Sequence, residues 1–147
     1  MSFRSHQFAS EPENLASVRA LVREFLREEG IPAQPGELLV LGVDEACSNI
    51  IRHAYRGEPG RPIALECECD GAGIRFRLRD WGIPADPAGF KSRSSAEIKP
   101  GGLGLSLIRR IFDEAVYTPL NPGTELRLLK RFPLTLEVFT GPAATGR

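Results

Sequence analysis

The chain has 147 residues, with nineteen Lys and Arg balanced by nineteen Asp and Glu; this is the size of one ordinary domain with no net charge at neutral pH. Such a balance excludes the cationic excess needed to wrap a nucleic acid or lie on an anionic membrane, so any phosphate site must be local. No apolar run approaches the roughly 18 residues of a membrane span, and the polar start Met1-Ser2-Phe3-Arg4 lacks a signal peptide's apolar segment, so a cytoplasmic protein is expected.

Residues 3–9 read as an extended segment. Ser10-Glu11-Pro12-Glu13 then gives a helix start, with Ser10 as the cap and Glu13 three residues later. Leu15, Val18, Leu21, Val22, Phe25 and Leu26 recur at helical spacing until Gly30. After the Pro-rich link 31–36, a second helix is expected from about Glu37 to Tyr55, with Leu39, Val43, Ala46, Ile50 and Ala54 on its apolar face. Gly57 and Pro59 end it.

The period then changes to two. Ile63, Leu65, Cys67 and Cys69 alternate with polar residues, Asp70-Gly71-Ala72-Gly73 supplies a turn, and Ile74, Phe76 and Leu78 alternate with Arg75, Arg77 and Arg79. A hairpin follows, with one apolar face and a row of glutamates opposite a row of arginines on the other. Cys47, Cys67 and Cys69 are odd in number, and the last two continue the apolar alternation, so neither a disulfide framework nor a zinc site is expected.

Residues 83–100, rich in Pro, Gly, Ser and charge, read as a long loop of the kind that often forms a lid. Gly101-Gly102-Leu103-Gly104 opens a third helix that ends near Glu114. A short strand is expected at Val116 and Tyr117, a turn at Asn121-Pro122-Gly123, and a last strand from Thr124 to Phe132 with Leu126 and Leu128 inward. The expected organisation is one domain over 1–132 and a tail over 133–147 whose end is disordered. Helices grouped before and after antiparallel strands indicate an α+β two-layer sandwich, its sheet covered on one face.

Polar residues standing in apolar positions carry the functional signal. Asp80 follows Ile74, Phe76 and Leu78 in the inward alternation, which directs a carboxylate at the helix layer. Asp capping a turn is the plain alternative, but Gly82 beyond it would let a flat ligand lie against backbone. Thr124 holds the corresponding place on the last strand. Glu45 and Asn49, four residues apart, share a helix face; the carboxylate suits proton abstraction and the oxygens of both suit a hard cation such as Mg²⁺. His53, one turn on, is expected to serve structure. The glycines before the third helix free backbone N–H groups for an anion at the helix's positive end. A Walker loop would need Gly-Lys-Ser/Thr here, and a dinucleotide fingerprint would need a third glycine where Leu107 stands.

Taken in order, Glu45-Ala46-Cys47-Ser48-Asn49 through Tyr55, Asp80-Trp81-Gly82-Ile83-Pro84, Gly101-Gly102-Leu103-Gly104-Leu105 and Gly123-Thr124 resemble the four nucleotide-binding boxes of the Bergerat-fold (GHKL) ATPases, and most of all those of the anti-sigma-factor serine kinases. The resemblance spans roughly residues 8–132. It implies the Bergerat ATP-binding fold, with a mixed, mainly antiparallel sheet. It also implies that Asn49 helps hold Mg²⁺ against the phosphates of ATP and that Glu45 is the general base. Asp80 would accept from the adenine amino group, with Gly82 beside the ring and Thr124 in support, while Gly101, Gly102 and Gly104 close over the phosphates and 83–100 is the lid. Pro84 stands where many superfamily members have Gly. No arginine directly precedes the glycine loop; Lys99 and Arg93 are the candidates to face the terminal phosphate.

The implied function is an ATP-dependent serine kinase that phosphorylates a STAS-type anti-anti-sigma protein and, as a homodimer, sequesters a sigma factor, without direct contact to nucleic acid or membrane. The alternative from another class is a nucleotide-dependent sequestration module that transfers no phosphate. A histidine kinase fragment is disfavoured because no helix with a phospho-acceptor His precedes the domain.

Overall fold

The computed structural model describes residues 1–84 and 103–134, with backbone alone at 103–106. In chain order it contains β1 (Ser2–Ala9), α1 (Leu15–Glu28), α2 (Ala33–Asn49), β2 (Pro62–Cys69), β3 (Gly73–Asp80), α3 (Leu103–Ile111), β4 (Glu114–Pro119) and β5 (Thr124–Arg131). The strands form one sheet in the order β1-β2-β3-β5-β4. Every pairing among the described residues is antiparallel, which corrects the mixed sheet expected above.

Period two carries the sheet. Ile63, Leu65, Cys67 and Cys69 on β2 and Ile74, Phe76 and Leu78 on β3 are all buried, and they meet Val18, Val22, Phe25 and Leu26 of α1 and Leu39, Val43 and Ala46 of α2. Full burial of such side chains stabilises by about 1.5–3 kcal/mol each. Helix α2 packs against both α1 and α3, so it lies in the middle of the helical layer. On the opposite sheet face, Glu66 and Glu68 pair in register with Arg77 and Arg75, at 2.5 and 3.0 Å. A slip of one residue would turn the apolar set outward, so this ladder and the core specify the same register. The three cysteines are free and buried; burial pushes the Cys67 thiol up to about 12 and raises Cys47 and Cys69 as well.

Several boundaries and caps differ from expectation. Helix α2 begins at Ala33, not near Glu37, because Pro35 falls in the first turn, where a missing N–H costs nothing. Its α-helical part stops at Asn49 and continues as a π-helical turn over Ile50–Ala54. Ser10 does not cap a helix: its hydroxyl donates to the Glu58 carbonyl (2.7 Å) and accepts from Arg61 N–H (2.9 Å), while Pro12–Asn14 form a 3₁₀ turn ahead of α1. Helix α3 ends at Ile111, and Glu114 already belongs to β4, which is longer than the two residues expected. The final strand stops at Arg131. Most of the expected lid and most of the tail lie outside the described residues.

Candidate functional site

Asp80 ends β3 and Thr124 opens β5, and the β3–β5 register sets them directly opposite each other. Both are buried, at 3% and 6% exposure, in a row that is otherwise apolar. The Asp80 carboxylate accepts the Gly82 N–H at Oδ1 (2.9 Å) and also the Thr124 backbone N–H. Burial raises its pKa, and the Gly82 N–H, the Arg79 charge and the Thr124 N–H oppose that rise in turn. A buried carboxylate whose known partners leave lone pairs uncommitted is suited to receive one more donor.

Gly82 lies against the end of the second helix. A Cβ there would strike the Ala54 carbonyl oxygen and come within 2.9 Å of the Tyr55 ring. The glycine is therefore demanded by close approach of strand end to helix end, whatever it does for a ligand. Its neighbour Ile83 donates its N–H to the same Ala54 carbonyl at 2.9 Å. The π turn makes this possible: Tyr55 N–H bonds back to Ile50, so the last turn is widened and the Ala54 carbonyl serves the β3 end. Gly123, at φ +92°, completes the turn before Thr124, and a Cβ on it would collide with the Asp80 carbonyl.

On α2, Glu45 and Asn49 share a face, as their spacing requires. Arg52 joins them: its Nη2 donates to Asn49 Oδ1 at 2.6 Å and lies 3.8 Å from Glu45 Oε2. The Glu45 side chain is 27% exposed. Among the described residues no group of three or more His, Cys, Asp and Glu could hold a metal ion.

The structure thus brings Asp80, Gly82 and Thr124 into contact beside the last turn of the helix whose preceding turns carry Asn49 and Glu45. Gly104 is the second residue of α3. Gly101, Gly102, Lys99 and Arg93 lie outside the described residues. Three contributors escaped sequence reasoning. Arg52 was discoverable from its i, i+3 spacing to Asn49. Tyr55, quoted only as the end of the first box, and Arg61 flank an open cleft of 570 Å³ with Trp81, Gly82 and Pro84, and sequence reasoning gave neither a role.

A model of the histidine kinase-like ATPase domain matches residues 8–130. The chain is 27% identical to an anti-sigma F factor of Oceanobacillus iheyensis over 143 residues, covering 90% of this chain and 94% of the relative. It is also 27% identical to the serine-protein kinase RsbW of Bacillus pumilus, covering 82% and 80%, and 28% identical to that of Listeria innocua, covering 74% of each. Among solved structures, one of the RsbU and RsbW domains of Rv1364c from Mycobacterium tuberculosis is similar with a TM-score of 0.67 at 20% identity, covering 89% of this chain and 32% of that longer one, a likeness of fold. Among the described residues no helix is long and apolar enough to cross a membrane. The chain belongs to the histidine kinase-like ATPase domain family.

Proposed function

We propose that the chain is an ATP-binding anti-sigma-factor serine kinase, which phosphorylates a serine of a STAS-type anti-anti-sigma protein and, as a cytoplasmic homodimer, sequesters a sigma factor. Residues 1–132 form the ATPase unit, with 133–147 as a tail. One observation carries the reading: two polar residues that interrupt separate apolar strands, Asp80 and Thr124, meet side by side, buried and hydrogen-bonded, next to Gly82. Relatives named for anti-sigma and serine-kinase activity support the biological role.

In this reading Asp80 accepts from the adenine amino group with Thr124 in support, and Gly82 packs beside the ring. Asn49 would help hold Mg²⁺, which when bound would neutralise charge on the phosphates. Gly101, Gly102 and Gly104 cover the phosphates with backbone N–H groups, and Lys99 or Arg93 faces the terminal one. Glu45 takes the proton of the substrate serine as its Oγ forms a bond to the γ-phosphorus and the bond from that phosphorus to ADP breaks.

Glu45→Ala is expected to lower phosphoserine formation on a co-incubated STAS-type protein by about 10²–10⁴-fold while leaving ATP affinity within a factor of about two. Tight ATP binding with no phosphoserine in any pairing, even for the unaltered chain, would instead identify a sequestration module without phosphotransfer.

A further inference from the structure

Tyr55 closes the π turn, and with 3% of its surface exposed it is a core residue by burial. Its hydroxyl nevertheless has two partners far apart in sequence. It accepts the Trp81 N–H at 2.8 Å and donates to the Pro62 carbonyl at 2.5 Å, so one oxygen ties the helix end to the start of β2 and to the exit from β3. Arg61 stacks on the same ring, 4.6 Å from its centroid, and donates through Nη2 to the Trp81 carbonyl at 3.2 Å.

These two bonds fall on consecutive peptide groups. Tyr55 holds the peptide joining Asp80 to Trp81, and Arg61 holds the one joining Trp81 to Gly82. The N–H of that second peptide is the donor to Asp80 Oδ1. Arg61 therefore grips the oxygen end of the same amide plane whose hydrogen end aligns the carboxylate. Without both grips, the segment keeps the Gly82 N–H bond to Asp80, the Ile83 N–H bond to Ala54 and the Arg79 bond to the Asp80 carbonyl, but loses the two bonds that fix the Trp81 peptides on either side.

We propose that Tyr55 and Arg61 are positioning residues that clamp the Trp81 backbone and so aim the Asp80 carboxylate, making adenine selectivity depend on two side chains outside the four nucleotide-binding boxes' acceptor and metal positions. The inference rests on the reading of Asp80 as the adenine acceptor. It predicts that loosening the clamp degrades recognition of the base and spares recognition of the phosphates.

Trp81 is the only tryptophan of the chain and its indole lies under the Arg79 guanidinium, 4.5 Å from ring to cation, so all tryptophan fluorescence comes from the residue whose backbone is clamped. Tyr55→Phe keeps the ring and the Arg61 stacking and deletes only the hydroxyl. On the full chain we expect Tyr55→Phe to melt cooperatively, to show a larger acrylamide quenching constant for Trp81 without nucleotide, and to bind ADP about tenfold more weakly, the size of one lost hydrogen bond. Affinity for GDP, whose base offers no amino group at that place, should stay unchanged, so the ADP-to-GDP preference falls by the same tenfold. Should Tyr55→Phe fail to fold, Arg61→Gln, at a position 39% exposed, carries the same test with about a threefold loss of preference, as befits a more solvated bond. Unchanged ADP affinity, or equal weakening of ADP and GDP, overturns the proposal. Unaltered protein that binds neither nucleotide overturns the reading of Asp80, and unaltered quenching in Tyr55→Phe overturns the clamp independently of any ligand.

Discussion

At the end of β3 a carboxylate with 3% of its surface exposed is held by backbone N–H groups from Gly82 and Thr124. Earlier on the adjoining helix, a carboxylate with 27% of its side chain exposed and an amide oxygen meet the side chain of Arg52. In the first region the donors to the carboxylate are backbone N–H groups, which have no rotamers to explore, and its burial makes each hydrogen bond count. The second is built from side chains in partial contact with water, where bonds exchange at little cost. Recognition of an invariant base suits the first construction. Proton transfer and cation binding, in which partners must come and go, suit the second.

The largest effect belongs to the buried end. Asp80→Ala should weaken ADP by roughly 100-fold, since it removes a charged acceptor from a buried position, and calorimetry that found unchanged affinity would abolish the contrast between the two regions. The same burial sets a pH dependence. Because the folded-state pKa of Asp80 is raised by desolvation, the folded chain binds a proton more readily than the unfolded chain. Its contribution to stability is therefore most favourable on the acid side and declines as pH rises through the raised value. Binding has the opposite sign, because only the ionised form accepts at both oxygens. ADP affinity of the unaltered chain should fall on acidification at a pH above the usual carboxylate range, and the fall should be absent in Asp80→Asn measured alongside.

The next effect is on stability and divides the regions in another way. Gly82→Ala drives a methyl group into the Ala54 carbonyl, so a loss of about 1–3 kcal/mol is expected in denaturant unfolding. Asn49→Ala, on the half-exposed face, should cost under about 0.5 kcal/mol while reducing the Mg²⁺-dependent part of nucleotide affinity. Comparable losses at both positions would show that the helix end is as tightly packed as the strand end.

How much of this was legible beforehand follows the same division. Asp80 and Thr124 stood out because strand alternation is strict, so one polar residue in an apolar row is conspicuous in a single line of sequence. The core rows of β2 and β3, and the Glu66–Arg77 and Glu68–Arg75 ladder, were legible for the same reason. What escaped is of two kinds, contacts distant in sequence and local backbone detail that periodicity does not register. Ser10 reads as a helix cap by local rules, yet its hydroxyl is taken by residues 48 and 51 positions away. Pro35 reads as a linker residue until the start of α2 shows it in a first turn. The π turn leaves no periodic trace, since its sequence Ile50-Ile51-Arg52-His53-Ala54 continues the helical pattern, and with it the role of the Ala54 carbonyl stayed out of sight.

The smallest expected effect tests the exposed region most directly. Arg52 donates to Asn49 Oδ1 at 2.6 Å, the oxygen that a bound divalent ion would need. An ion arriving there must displace the guanidinium, and the bond it breaks is a solvated contact between neighbours on one helix, worth about 0–1 kcal/mol. Arg52→Gln should therefore tighten Mg²⁺-dependent ADP binding by at most about fivefold and leave binding in the presence of a chelator unchanged. A weakening of both would mean that the guanidinium leaves Asn49 to pair with the phosphates, and that the exposed end gains a cation on ligand binding. In either case the change should come without loss of adenine selectivity, because no hydrogen bond described for Arg52 reaches the strand end where Asp80 is held.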